Sequence, residues 1–119
     1  MKVLLTGAAG FLGSHLSMKL IEQKHEVIAI DDLSTGSIKN IKHLINDPNY
    51  SFIEHDVRIP YQVKVDAILN FACPASPVNY QKDPVRTIET NFLGMINILH
   101  LANETGARII QASTSEIYG

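Results

Sequence analysis

The run Val3-Leu4-Leu5-Thr6-Gly7-Ala8-Ala9-Gly10-Phe11-Leu12-Gly13 decides the fold of this chain. A short aliphatic stretch leads straight into three glycines spaced every third residue. Leu12, Leu16 and Leu20 then recur at every fourth position, with Met18 and Ile21 widening the stripe. That period predicts a helix over 10–23. Strand, glycine loop and helix therefore follow one another without a spacer.

Outward from this unit, the same two signals alternate. Continuous aliphatic runs recur at Val27–Ile30, Ser51–Ile53, Ala67–Phe71 and Ile109–Gln111. Apolar runs that do not alternate belong to strands covered on both faces, as in parallel sheets. A short helix is expected over 37–45 from Ile38, Ile41 and Ile45. The longest helix is expected over 84–105, with Asp83 as its cap, Pro84 in its first position and Gly106 as its stop. Ile88, Phe92, Ile96, Leu99 and Asn103 mark its course. Residues 73–83 read as an irregular loop that directly follows a strand, a usual place for a working segment. The order predicts an α/β fold, a Rossmann-type doubly wound parallel sheet of about five strands, with residues 1–119 forming one domain.

The glycines suit a dinucleotide. Gly7 allows the tight turn, Gly10 lets a pyrophosphate approach the backbone, and Gly13 lets the helix pack close to the strand. The helix N-terminus adds unpaired N–H groups and a partial positive charge. The spacing is G-x-x-G-x-x-G rather than G-x-G-x-x-G, and three glycines alone could simply make a turn. Asp31 adds weight: it closes the second strand, where a carboxylate can accept both ribose hydroxyls. Asp31 and Asp32 would repel a 2′-phosphate, and no arginine is close in sequence, so the expected cofactor is NAD rather than NADP.

Bulk composition excludes other classes. Apolar residues make up 45% and charged residues 18% of 119, and the net charge is −2. With no cluster of Lys and Arg, neither nucleic acid nor an anionic membrane is an expected partner. The single cysteine, Cys73, cannot form an internal disulfide, and no signal peptide or membrane span is visible, so a cytoplasmic location is expected. Cys73 reads as a small packed side chain. His15, His25, His43, His55 and His100 are scattered without ligand spacing, and no metal site is expected. His15 is expected in the helix near the glycine loop, and His55 in a loop beside Asp56.

The glycine loop with Phe11-Leu12-Gly13-Ser14-His15-Leu16, the stretch Asp31-Asp32-Leu33-Ser34-Thr35-Gly36, the loop Ala72-Cys73-Pro74-Ala75-Ser76-Pro77 with Tyr80, and the end Ala112-Ser113-Thr114-Ser115-Glu116-Ile117-Tyr118-Gly119 resemble one known group. It is the extended short-chain dehydrogenase/reductase family (NAD-dependent epimerases and dehydratases) that acts on nucleotide sugars. Within it the last two stretches look most like the UDP-glucuronate decarboxylase branch. The resemblance implies that Gly7, Gly10, Phe11, Leu12 and Gly13 line the pyrophosphate and Asp31 the adenosine ribose. Asp32, Ser34, Thr35 and Gly36 would surround that ribose, with Asp56 and Val57 bordering adenine. Leu69 and Ala72 would lie along the cofactor, and Asn91 beside the active site. Pro77 and Tyr80 would face the sugar nucleotide, with Thr114, Ser115 and Glu116 at the reacting carbons.

The implied reaction oxidises C4 of UDP-glucuronate with NAD, loses carbon dioxide from the resulting β-keto acid, and reduces the ketone to give UDP-xylose. The family's base is a Tyr-x-x-x-Lys pair, and this sequence contains none: Tyr61 precedes Lys64 by one residue too few. The isolated chain is therefore expected not to turn over. Its fifth strand and the 84–105 helix are expected to expose aliphatic surface, and the resemblance implies a homodimer through that helix. Alternative readings are a non-catalytic NAD-binding module, or part of an epimerase or dTDP-glucose 4,6-dehydratase.

Overall fold

The computed structural model describes residues 1–119. Five strands form one parallel sheet: β1 (Lys2–Thr6), β2 (Glu26–Asp31), β3 (Tyr50–Glu54), β4 (Ala67–Asn70) and β5 (Arg108–Gln111). Their order is β3-β2-β1-β4-β5. The chain winds outward from β1 in one direction, then crosses back and continues in the other. This is the doubly wound arrangement expected from the sequence.

Alternation along the strands divides the core between two faces. On one, Leu4, Ile28, Ile30 and Ile68 pack with Val57 and Val65 of the β3–β4 crossover and with Ile98 and Leu101 of α3 (Pro84–Thr105). On the other, Leu5, Val27 and Ala29 pack against Ile41, Leu44 and Tyr50, with Leu16, Leu20 and Ile21 of α1 (Phe11–Glu22) beside them. Both faces of the central strands β1, β2 and β4 are covered, which is why they read as unbroken aliphatic runs. The edge strands β3 and β5 are largely exposed. Helix α1 reaches the sheet through small residues, with Gly13, Ser14 and Ser17 buried and Leu12 exposed.

Two expectations are corrected. The segment 37–45 is not an α-helix but a 3-10 helix at Ile38–Asn40 followed by turns. Ser37 accepts from the Lys39 N–H, and the Asn40 side chain donates to the Ala9 carbonyl at 2.8 Å, which ties the segment to the glycine loop. Ile41 and Leu44 are buried there, while Ile38 and Ile45 face outward. The stretch 73–83 is not wholly irregular, because α2 (Pro77–Lys82) forms within it. In α3 the sheet-facing residues are Gly94, Ile98 and Leu101, and Ile88, Phe92 and Leu99 lie on the opposite side, giving the exposed aliphatic surface expected on this helix. The ends of α3 are as expected: Asp83 accepts from the Arg86 N–H at 3.0 Å, and the Gly106 N–H donates to Ala102.

Candidate functional site

The carboxyl ends of β1, β2 and β4 open into one cleft, the place where ligands bind in sheets of this winding. Gly7 and Gly10 form its floor, Asp31, Asp32, Ser34 and Thr35 one wall, and Ala72 the other, with Val57 at the end. Gly7 has a φ of +69°, and a Cβ there would lie 2.5 Å from the Phe71 carbonyl oxygen. The end of β1 and the exit of β4 thus touch directly. Gly13 is tighter still: its Cβ would fall 2.0 Å from the Gly7 oxygen.

Thr6 fixes the join between the two strands. Its hydroxyl donates to Asn70 Oδ1 at 2.5 Å and accepts from the N–H groups of Phe71 and Ala72, each at 3.2 Å. Asn70 in turn donates to Gln111 Oε1 at 2.6 Å, extending the tie to β5. All three hydrogen-bonding positions of the buried hydroxyl are used.

Asp31 does more than the sequence suggested. Its Oδ2 accepts from the Ala9 N–H at 2.9 Å and its Oδ1 from the Leu33 N–H at 2.8 Å, so the carboxylate pins the glycine loop. Burial raises its pKa, outweighing those two hydrogen bonds. Two carboxylate oxygens can accept about four hydrogen bonds, which leaves capacity for ribose hydroxyls on the cleft side. At the start of α1, Gly10 makes no side-chain cap, and the N–H groups of Phe11, Leu12 and Gly13 have no acceptor in the chain. Uncapped donors at the N-terminus of a 12-residue helix suit an anionic group. The glycine floor, the free amides and the acid at the end of β2 together fit a dinucleotide.

An ion-pair network closes the β2–β3 end. Arg58 pairs with Asp56 at 2.8 Å and with Glu89 of α3. Arg86 Nη2 lies 2.9 Å from Asp32 Oδ2 and 3.8 Å from Asp56 Oδ2. The Arg58 contact holds the Asp56 carboxyl below its ordinary range against the opposing effect of burial. Burial pushes Asp32 upward, but Ser34 and Arg86 together hold it below the ordinary value.

Arg86 corrects the sequence reading directly. No arginine is near Asp32 in sequence, yet α3 delivers one to it across 54 positions. Nothing local announces it; the available signal was only a cation in the first turn of a helix that follows a strand-end loop. His55, Phe71, Cys73, Pro74 and Thr90 also line the cleft and were not expected to. Cys73 is exposed, not packed, and its sulfur accepts from Asn91 Nδ2 at 3.0 Å. His15 sits on α1 against Phe11, and His55 precedes Asp56, as expected.

Other expected site residues lie outside the cleft wall. Gly36 is pressed behind the loop against Ala9, and Asp56 faces Arg58. Leu69 packs into the core on the α1 side, inside β4; Phe71 packs against the same core but lies just past the strand end, and so also lines the cleft. Phe11 and Leu12 are exposed beyond the floor, and Gly13 is buried beneath it. Pro77 and Tyr80 ride on α2 and Asn91 on α3, all three exposed. Thr114, Ser115 and Glu116 are exposed at the 3-10 turn (Ser115–Tyr118) after β5, where the Thr114 hydroxyl accepts from the Glu116 N–H. No group of three or more His, Cys, Asp or Glu side chains is placed to hold a metal ion. No helix is long and apolar enough to cross a membrane.

Comparison with known proteins assigns this arrangement. The GDP-mannose 4,6 dehydratase family matches residues 4–119. The chain belongs to that family. UDP-glucuronic acid decarboxylase 3 of Arabidopsis thaliana is 50% identical over 120 residues, covering 100% of this chain and 35% of that protein. UDP-glucuronic acid decarboxylase 1 of Danio rerio is 48% identical over 118 residues, covering 99% and 28%. Among solved structures, the dTDP-glucose 4,6-dehydratase DesIV of Streptomyces venezuelae, with NAD bound, superimposes with a TM-score of 0.86 at 31% identity. That match covers 100% of this chain and 41% of the other. This member of the GDP-mannose 4,6 dehydratase family thus spans about a third of the length of the curated relatives it matches.

Proposed function

We propose that residues 1–119 form the NAD-binding part of a nucleotide-sugar decarboxylase acting on UDP-glucuronate. The observation that carries this reading is the cleft of Gly7, Gly10 and Asp31 beneath uncapped helix donors, in a chain half identical to UDP-glucuronic acid decarboxylases along its whole length. The identity to the decarboxylases, 50%, against 31% for the solved dehydratase, favours this branch over its relatives.

In this reading the Phe11, Leu12 and Gly13 amides hold the pyrophosphate, and Gly7 and Gly10 leave it room. Asp31 accepts the ribose hydroxyls, while Ser34 and Thr35 border them. Val57 meets the adenine, and Phe71 and Ala72 steer the chain along the cofactor. When bound, NAD supplies a hydride acceptor and donor at C4 of the sugar. Thr114 and Ser115 bind the C4 oxygen, and Glu116 positions the carboxylate region or moves a proton near it. Pro77 and Tyr80 contact the sugar nucleotide. Proton transfer at C4 calls for a Tyr-x-x-x-Lys pair that these residues do not contain, so the chain by itself supplies binding without turnover. The exposed face of α3 is the proposed contact between two copies.

Calorimetric titration of the chain with NAD and NADP tests the assignment. Saturable NAD binding, with NADP at least about tenfold weaker, is expected from the carboxylates at the ribose end. Absence of binding by either dinucleotide overturns it.

A further inference from the structure

Arg86 brings to the ribose end of the cleft the kind of side chain that receives a 2′-phosphate. It is already engaged, since its guanidinium faces Asp32 at 2.9 Å. We propose that Asp32 sets the dinucleotide preference of this chain by occupying Arg86, so that the pair is a latent 2′-phosphate site kept closed by one carboxylate. The inference rests on the assignment of the cleft to a dinucleotide.

Both partners are fixed before any ligand arrives. Asp32 Oδ1 accepts from the Ser34 N–H at 3.0 Å and the Ser34 hydroxyl at 2.6 Å, which leaves Oδ2 directed at the guanidinium. Arg86 stands in the first turn of α3, where its own N–H caps onto Asp83 and its carbonyl accepts from the Thr90 hydroxyl at 2.8 Å. The other nearby cation, Arg58, is taken up by Asp56 and Glu89. A 2′-phosphate entering here would meet Asp31, Asp32 and Asp56. Arg86 keeps other N–H donors beside the Nη2 spent on Asp32, but its charge is already balanced, so the phosphate gains a full counter-ion only by drawing it from Asp32. That leaves a half-buried carboxylate without its partner, which is costly. Asp31 and Asp32 therefore act differently: the first attracts ribose hydroxyls, and the second withholds the cation a phosphate needs.

Asp32→Asn keeps the shape and an oxygen for Ser34 while removing the charge. Arg86 then has only Asp56 at 3.8 Å and is free to turn toward a phosphate. Calorimetry with NAD and NADP on the wild-type chain, D32N, D32S and D32N/R86Q reads the effect, with thermal melts checking that each variant folds. The preference for NAD should shrink by about tenfold in D32N and D32S, and the NADP gain should weaken with added salt. R86Q in the D32N background should abolish that gain. R86Q alone, which leaves Asp32 bare, should weaken NADP further and so reads the pair from the other side. An unchanged preference in the folded Asp32 variants overturns the proposal, as does an NADP gain that survives R86Q. Failure of the wild-type chain to bind either dinucleotide is a separate result, which removes the cleft assignment and this inference with it.

Discussion

Asp31 and Asp56 sit near each other at the same end of the sheet, yet their surroundings push them in opposite directions. Burial raises Asp31, so the folded chain holds that proton more tightly than the unfolded chain, and its ionisation costs stability as pH rises above its ordinary value of 3.8. Asp56 is lowered, first by its hydrogen bond from Arg58, so its contribution is present above 3.8 and is lost as pH falls through the lower folded value. Thermal melts across the acid range should therefore show a loss of stability in the wild type that is smaller in Asp56→Asn. An identical acid profile in the two proteins would remove Asp56 from the account. The glycine loop makes a sharper test. A Cβ on Gly13 would lie 2.0 Å from the Gly7 oxygen, and backbone cannot yield as a side-chain tip can. Gly13→Ala should cost about 1–3 kcal/mol or more in urea unfolding, and should weaken NAD binding by shifting the loop.

Helix α3 is the element on which the site depends most. It is anchored by the Asp83 cap at one end and by Ile98 and Leu101 against the sheet further along, and its first turns carry Arg86 and Glu89 into the charged network. Asp83→Ala should destabilise the chain by about 1 kcal/mol, seen as a lower urea midpoint at unchanged slope. Because the cap receives the Arg86 N–H itself, the same change should also narrow the preference for NAD over NADP. A stability loss with no change in preference would separate the cap from the site. The boundaries of this helix were legible because Asp-Pro and Gly106 are strong local signals. Its buried face was not, since apolar residues lie on both sides and only the sheet selects Ile98 over Phe92. The 3-10 segment at Ile38–Asn40 was misread for a related reason: its aliphatic residues suit a helix, but hydrogen bonds to Ala9 from Ser37 and Asn40 hold the chain in turns.

At the scale of the molecule, the outer face of α3 and the free edge at β5 expose a run of large apolar groups. Ile88 is 68% exposed and Phe92 64%, with Val85 and Leu99 on the same helix and Ile110 on β5. A surface of this kind favours association between copies. Sedimentation of the chain should show concentration-dependent self-association, and Phe92→Asp should shift it toward monomer without lowering the melting temperature of the monomer. A wild-type chain that stays monomeric at high concentration would exclude the α3 face as a contact between copies.

The sequence by itself determined the parallel sheet, its five strands, the glycine loop and the acid that closes β2. All of these rest on local patterns: unbroken aliphatic runs, glycine spacing, and capping residues at helix ends. Only the tertiary structure decided which side chains meet at the cleft. Thr6 joins Asn70 and Arg86 joins Asp32 across 64 and 54 residues, through strand order and helix packing that no short stretch encodes. Leu69 and Phe71 share the α1-side face, and only Phe71, just past the end of β4, reaches the cleft, because strand order sets where the strand ends open. Local chemistry wrote the elements, and burial on both faces of the sheet chose their contacts.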